Sequence, residues 1–241
     1  LSERGVQRAQ TNALKAIMPD LEPDKEALPR GAVDLDGKYA LLWPMDTGAR
    51  TLPDDEAELI TAYWEAQGGE WDDGRITAVR KWGRLHLPNG QNARSAWKEK
   101  QKELSRMRIS RIVKVRFTSA HDVAEVQYFF RVRLHPLEDG ATRECVEQDV
   151  VTLALVSMFD RPDLEMLALS YGTVWSSTYR GRAGFQVIAA QDILSVVAMI
   201  PHTFTDMITE AQGYVDGKKY FLVEKPGLDI IMMGQGESME E

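Results

Sequence analysis

The sequence predicts an α+β fold: a small mixed N-terminal region over residues 1–105, a β-barrel or sandwich-like domain over 106–233, and a disordered acidic tail over 234–241. Three observations lead there. Helical apolar spacing appears before Gly68, an Asn-Gly turn at Asn89-Gly90 marks a hairpin, and from Arg108 onward short alternating runs recur between turn residues. Short strands at that spacing favour a small barrel or sandwich. A chain of 241 residues that is 44% hydrophobic and 27% charged can bury a sizeable core. Typical domain sizes favour two units over one.

Taken in order, Val6, Ala9, Ala13, Leu14, Ile17 and Met18 form a helical stripe that Pro19 stops, and the Pro-, Asp- and Glu-rich stretch to Pro29 reads as a linker. Lys38 to Trp43 is a short strand ended by Pro44. Pro53 opens a helix whose first turn holds Asp54, Asp55 and Glu56, where the helix dipole favours acids; it runs to Gln67, and Gly68 with Gly69 ends it. Asn89-Gly90 suits the two positive-φ positions of a type I′ turn, which sets Pro88 opposite Gln91. In that register Trp82 lies across from Trp97 and shares a face with Arg84, His86 and Ser95, while Leu85 and Leu87 point the other way.

Next, Ile109, Val113, Val115 and Phe117 alternate with Arg108, Ser110, Lys114 and Arg116. Then Val126, Tyr128, Phe130, Val132 and Leu134 alternate with Gln127, Phe129, Arg131 and Arg133. Both read as half-buried strands, with Phe129 on the polar face of the second. Further strands are expected at Asp149 to Phe159, Thr173 to Tyr179, Gly184 to Ala189, Ser195 to Pro201 and Lys219 to Val223.

Net charge is −8, but its distribution is uneven. From Arg75 to Arg116 thirteen Lys or Arg stand against two acids, Glu99 and Glu103, a local net of +11 that leaves −19 on the remainder. A block this one-sided is either a polyanion-binding surface or the counterpart of an acidic face on the same fold. Binding a nucleic-acid backbone takes several cations on one surface, so that condensed counterions are released, and neighbouring aromatics can stack on unpaired bases. Trp82, Arg84, Arg94, Lys98, Arg108 and Lys114 are the expected core of such a surface. Phe129, set among polar neighbours, is a candidate for meeting a partner. Trp175 and Tyr179, on the same side of one strand, are candidate walls of an aromatic cage for methyl-lysine.

Other chemistries find little in the residue pattern. Cys145, the single cysteine, cannot form an intrachain disulfide, and Glu144 and Glu147 beside it would raise its thiol pKa. His86, His121, His135 and His202 have no His or Cys partner at ligand spacing. The sequence contains no Walker A loop and no G-x-S-x-G elbow, and the Gly181 to Gly184 run reads as a hairpin turn. No catalytic residue, metal or cofactor is therefore expected. The apolar stretch from Ile193 to Ile200 is too short to span a bilayer, so no membrane is expected among the partners. Cysteine usage suits an intracellular compartment. A start at Leu1 within a helical pattern suggests a piece of a larger protein.

Five phrases carry a resemblance: LPRGAVDLDGKYALLWPMDTGAR (Leu28 to Arg50), WGRLHLPNGQNARSAWKE (Trp82 to Glu99), VAEVQYFFRVRL (Val123 to Leu134), DILSVVAMIPH (Asp192 to His202) and YFLVEKPGLDI (Tyr220 to Ile230). In these the chain resembles the C-terminal region of transposase-like proteins of basidiomycete fungi, relatives of CACTA-type elements. The resemblance implies a nuclear, non-catalytic accessory module whose partners include nucleic acid and the upstream region of the parent protein, where the acidic nuclease residues would lie. The run from Leu153 to Asp163 and onward to Ile200, with Phe159, Arg161 and Pro162 at an aromatic-Arg-Pro turn, is also similar to bromo-adjacent-homology domains. Those are β-barrels of chromatin proteins, and that similarity implies a histone or other protein partner.

Overall fold

One long strand organises the chain. The computed structural model describes residues 17, 28–68, 76–103, 110–116, 122–133, 150–202 and 217–223. In chain order the strands are β1 (Val33–Asp34), β2 (Ala40–Met45), β3 (Arg50–Thr51), β4 (Ala78–Val79), β5 (Lys81–His86), β6 (Asn92–Arg94), β7 (Ile112–Val115), β8 (Asp122–Arg133), β9 (Val150–Met158), β10 (Ser176–Thr178), β11 (Phe185–Ala189), β12 (Ile193–Val196), β13 (Ala198–Pro201) and β14 (Lys219–Val223). The α-helices α1 (Asp54–Ala66), α2 (Ala96–Glu99) and α3 (Leu164–Leu169) interrupt them. Arg108, His121, His135, Cys145, the acidic tail and all of the expected Val6 to Met18 helix except Ile17 lie outside the described residues.

The fold is mostly β-sheet with few helices, a mixed α+β arrangement, and among the described residues the sheet does not close into a barrel. A nine-stranded sheet has β8 at its centre. On one edge β8 pairs with β9 from Ala124 to Arg133; on the other it pairs with β7 near its start and with β5 at Phe129 and Phe130. Strands of the expected N-terminal region and of the expected β domain thus share one sheet. Leu41, Leu85 and Ala93 lie in one apolar cluster with Val113, Ala124, Val156 and Ile193, so the boundary expected near residue 105 separates no cores.

The centre of the sheet is buried on both faces. The cluster just named fills one. On the other, α1 lays Ala57, Ile60 and Trp64 over Tyr128, Phe130, Leu153 and Leu155. Further along that face, β10, β14 and β13 form a three-stranded sheet, and Tyr179, Met199 and Tyr220 cluster there with Ile112 and Val123. A strand covered on both sides needs apolar residues at consecutive positions, and the run from Tyr128 to Phe130 provides them.

This corrects the reading of Phe129. The register slips between Val126 and Tyr128 on β8, leaving Gln127 as an extra residue opposite β9. The bulge reverses the alternation beyond it, so Phe129 joins Ala124 and Val126 in the first core at 0% exposure. It is not on a polar face.

The hairpin register also differs from expectation, by one residue. Arg84 pairs with Arg94, and Leu87 closes the turn on Gln91, with its N–H donating to the Gln91 carbonyl at 2.9 Å. Pro88 explains the slip. At the closing position of a type I′ turn its missing N–H would forfeit a ladder bond; moved into the loop, its fixed φ suits the first corner of a three-residue turn, and Gly90 takes the positive φ of +76°. The strand therefore ends at Arg94. Ser95 caps α2, and Trp97 lies on that helix instead of opposite Trp82.

Pro44 likewise does not end its strand. β2 continues through a cis Trp43–Pro44 bond to Met45. Leu42 pairs with Arg84 and Met45 with Trp82, so Trp43 and Pro44 together oppose the single residue Gly83.

Candidate nucleic-acid interface

Three segments bring cations to one recess. Arg84 comes from β5, Arg94 from the paired position of β6, and Lys98 and Lys102 from α2 and the turn after it; Pro44, Gly83, Ser95 and Glu99 complete the lining. Local chemistry fixes each piece. The Ser95 side chain accepts from the Lys98 N–H and so starts α2 directly after the hairpin, while the Ser95 N–H donates to the Gly83 carbonyl at 2.9 Å. An added Cβ on Gly83 would stand 3.0 Å from Cγ of both Lys98 and Pro44, so glycine lets these two side chains close over the strand. The Lys98 ammonium lies 3.9 Å from the centroid of the Trp97 ring.

Of the residues singled out in the sequence, the recess thus gathers Arg84, Arg94 and Lys98. Lys102 joins them, a residue counted in the basic block but not marked as a contact. Lys114 does not line the recess: it sits on β7 between Val123 of β8 and Ser195 of β12. Arg108 lies outside the described residues.

Other members of the basic block serve the interior. Arg111 is fully buried, its Nε donating to Glu125 at 2.7 Å, with Glu99 at 3.6 Å from its Nη1. Glu125 also accepts from the Tyr179 hydroxyl at 2.6 Å and from the bulge residue Gln127 at 2.9 Å, and Lys100 stands 3.8 Å away. Lys81 packs 3.7 Å from the Tyr128 ring and 3.6 Å from Glu56, whose carboxylate accepts a hydrogen bond from the Tyr128 hydroxyl at 2.7 Å. Burial, then the nearby carboxylates, push both tyrosines above their ordinary range, and burial lowers Lys81 against the pull of Glu56. Within the block, Arg111 and Lys81 answer internal acids, and Arg84, Arg94, Lys98 and Lys102 line one recess together with Glu99.

The aromatic expectations change more. Trp82 is only 6% exposed and belongs to the first core, so it cannot stack on a base. Tyr179 is also 6% exposed, packs 5.0 Å from Phe159 and is committed to Glu125, which removes it as a cage wall for methyl-lysine. Trp175 is half-buried just before β10, its carbonyl accepting from Leu222. Sequence reading missed Trp43, which is 52% exposed, because the expected strand ended at that residue. It also missed the Arg111–Glu125 pair, since nothing in a local pattern separates a buried arginine from a solvated one.

Elsewhere, His202 Nε2 lies 2.9 Å from Ser176 Oγ and its ring stacks on Phe221 at 3.8 Å. Asp163 is turned to other work, capping α3 at Met166 and pairing with Lys219 at 2.8 Å, and that lysine holds its carboxyl below the usual range. Among the described residues no group of three or more His, Cys, Asp or Glu could hold a metal ion, and no helix is long and apolar enough to cross a membrane. No family model, curated protein or solved structure matches this chain.

Proposed function

We propose that this chain is a nuclear, non-catalytic accessory module of a transposase-like protein and that it binds nucleic acid through backbone phosphates laid over the surface of Arg84, Arg94, Lys98 and Lys102. The observation that carries the reading is the direct pairing of Arg84 with Arg94, with two lysines added to the same recess. Like charges opposite one another on paired strands destabilise a sheet. In a chain of net charge −8 they are not a general feature of the surface. A polyanion laid over these cations would be attracted to them and release counterions on binding.

The test is a salt titration. Affinity for duplex DNA should fall linearly with salt on a log–log plot, with a slope of about −0.9 per phosphate neutralised. Replacing Arg84, Arg94 and Lys98 together by Ala should flatten that slope by up to about three such units. The negative charge on the rest of the chain repels the same phosphates, so affinity at physiological salt should be modest. Folded protein that fails to bind even at low ionic strength would end this reading and leave the recess as a protein-docking face. Supercoiled DNA incubated with the protein and Mg²⁺ or Mn²⁺ should stay intact; nicking that one acidic substitution abolishes would overturn the non-catalytic part.

A further inference from the structure

We infer that the recess takes single-stranded nucleic acid, with a base stacked on Trp43 beside a phosphate held by Arg84, Arg94 and Lys98. The inference rests on the phosphate-binding reading above and adds the strand class and the residue that selects it. Trp43 precedes Pro44, which lines the recess, and the two residues together oppose Gly83 on β5. A bulge of this kind re-aims a side chain out of the regular alternation. Trp43 is 52% exposed, one residue from the Pro44 that lines the recess, with its ring against Gly31.

The other described tryptophans are not open in this way. Trp64 and Trp82 are buried, the Lys98 ammonium covers the Trp97 ring, and Trp175 is half-buried beside the three-stranded sheet. Trp43 is also held in place. Its indole occupies the space that a side chain on Gly31 would need, and Gly31 has a φ of +81°, so the ring rests on bare backbone with little rotational freedom left to lose on binding. A large apolar ring kept in water on the segment that lines a basic recess matches a ligand that alternates anionic groups with flat apolar ones. Single-stranded DNA or RNA does so, whereas a duplex hides its base faces in the stack.

The experiment compares a labelled oligothymidine with a duplex of equal length by fluorescence anisotropy, using the full chain, Trp43→Ala, Trp43→Phe and the double variant Arg84→Ala/Arg94→Ala. Trp43→Ala should weaken single-strand binding about ten-fold or more, leave duplex binding within about two-fold and leave the salt slope unchanged. Trp43→Phe should retain most of the affinity, and the arginine variant should weaken both ligands and flatten both slopes. Unchanged single-strand binding by Trp43→Ala, with the arginine variant impaired, would overturn the stacking role and spare the phosphate site. Equal losses on both ligands, or a Trp43→Phe variant as weak as Trp43→Ala, would also overturn it. Absence of binding by the unaltered chain would overturn both readings. Should Trp43→Ala fail to fold, photocrosslinking the unaltered chain to an iodouracil oligonucleotide decides: the adduct should map to Trp43, and an adduct mapping only elsewhere refutes the inference.

Discussion

Glu125 is the residue on which the interior electrostatics turn. It is fully buried, and Arg111, Tyr179 and Gln127 all donate to it. Glu125→Ala would leave Arg111 buried without the carboxylate that accepts from its Nε, with Glu99 still 3.6 Å from its Nη1. A loss of about 3–5 kcal/mol is expected in urea unfolding, the usual cost of stranding half of a buried ion pair. Tyr128 and Tyr179 give a pH signature. Both are held as neutral phenols by burial and by carboxylates that accept their O–H hydrogen bonds, so their folded pKa values lie above the unfolded value of about 10. A raised folded pKa means a contribution that is complete below the unfolded value and lost as pH rises toward the folded one. Stability should therefore hold to about pH 10 and then decline by up to about 1.4 kcal/mol per pH unit for each tyrosine. Tyr128→Phe and Tyr179→Phe should each remove their share of that decline in denaturant titrations repeated above pH 10. No neighbour-by-neighbour pattern announced these partners, because Glu56 and Tyr128 are 72 residues apart and Tyr179 and Glu125 are 54 apart.

At the scale of elements, glycine and proline decide where alternation breaks. Gly90→Ala should cost about 1 kcal/mol or more, since its φ of +76° lies where a Cβ is strained. Gly83→Ala tests the recess itself: its Cβ would press on Pro44 and the Lys98 stem, so thermal stability should fall and polyanion affinity should fall with it. The helix over Asp54 to Ala66 and the strand Lys219 to Val223 are legible, because a proline start with acids in the first turn, a glycine stop and a short β-rich run are local signals. The hairpin is legible as a hairpin and not in its register, since Asn-Gly suits a two-residue turn while the missing N–H of Pro88 shifts the closing pair to Leu87 and Gln91. Phe129 was misplaced for a related reason. Period-two counting assumes an unbroken ladder, and the bulge at Gln127 adds one residue that only pairing with β9 reveals. Of the site, Arg84, Arg94 and Lys98 could be named from charge clustering, whereas Trp43 could not, because a bulge opposite a glycine on another strand decides its exposure.

For the whole molecule, the common core argues against two independent units. Leu41 and Leu85 share their cluster with Val156 and Ile193, so far-UV circular dichroism and tryptophan fluorescence should report coincident unfolding, and a chain beginning at residue 106 should not fold alone. Two transitions, or a folded fragment, would restore the division at residue 105. The shared sheet was hidden in the sequence because β5 meets β8 only at Lys81–Phe130 and Trp82–Phe129, a short contact between segments far apart in the chain. Polar and charged positions on β8, such as Gln127 and Arg131, also make a strand buried on both faces look half-exposed. That strand has a consequence for motion. With neighbours along both edges and apolar layers on both faces, it can release its amide protons only when the sheet itself comes apart. Hydrogen exchange should therefore run slowest through the amides of Ala124 to Val132 and track global opening there, while the three-stranded sheet of β10, β13 and β14, which makes fewer connections, exchanges through smaller openings that leave the central strand shut.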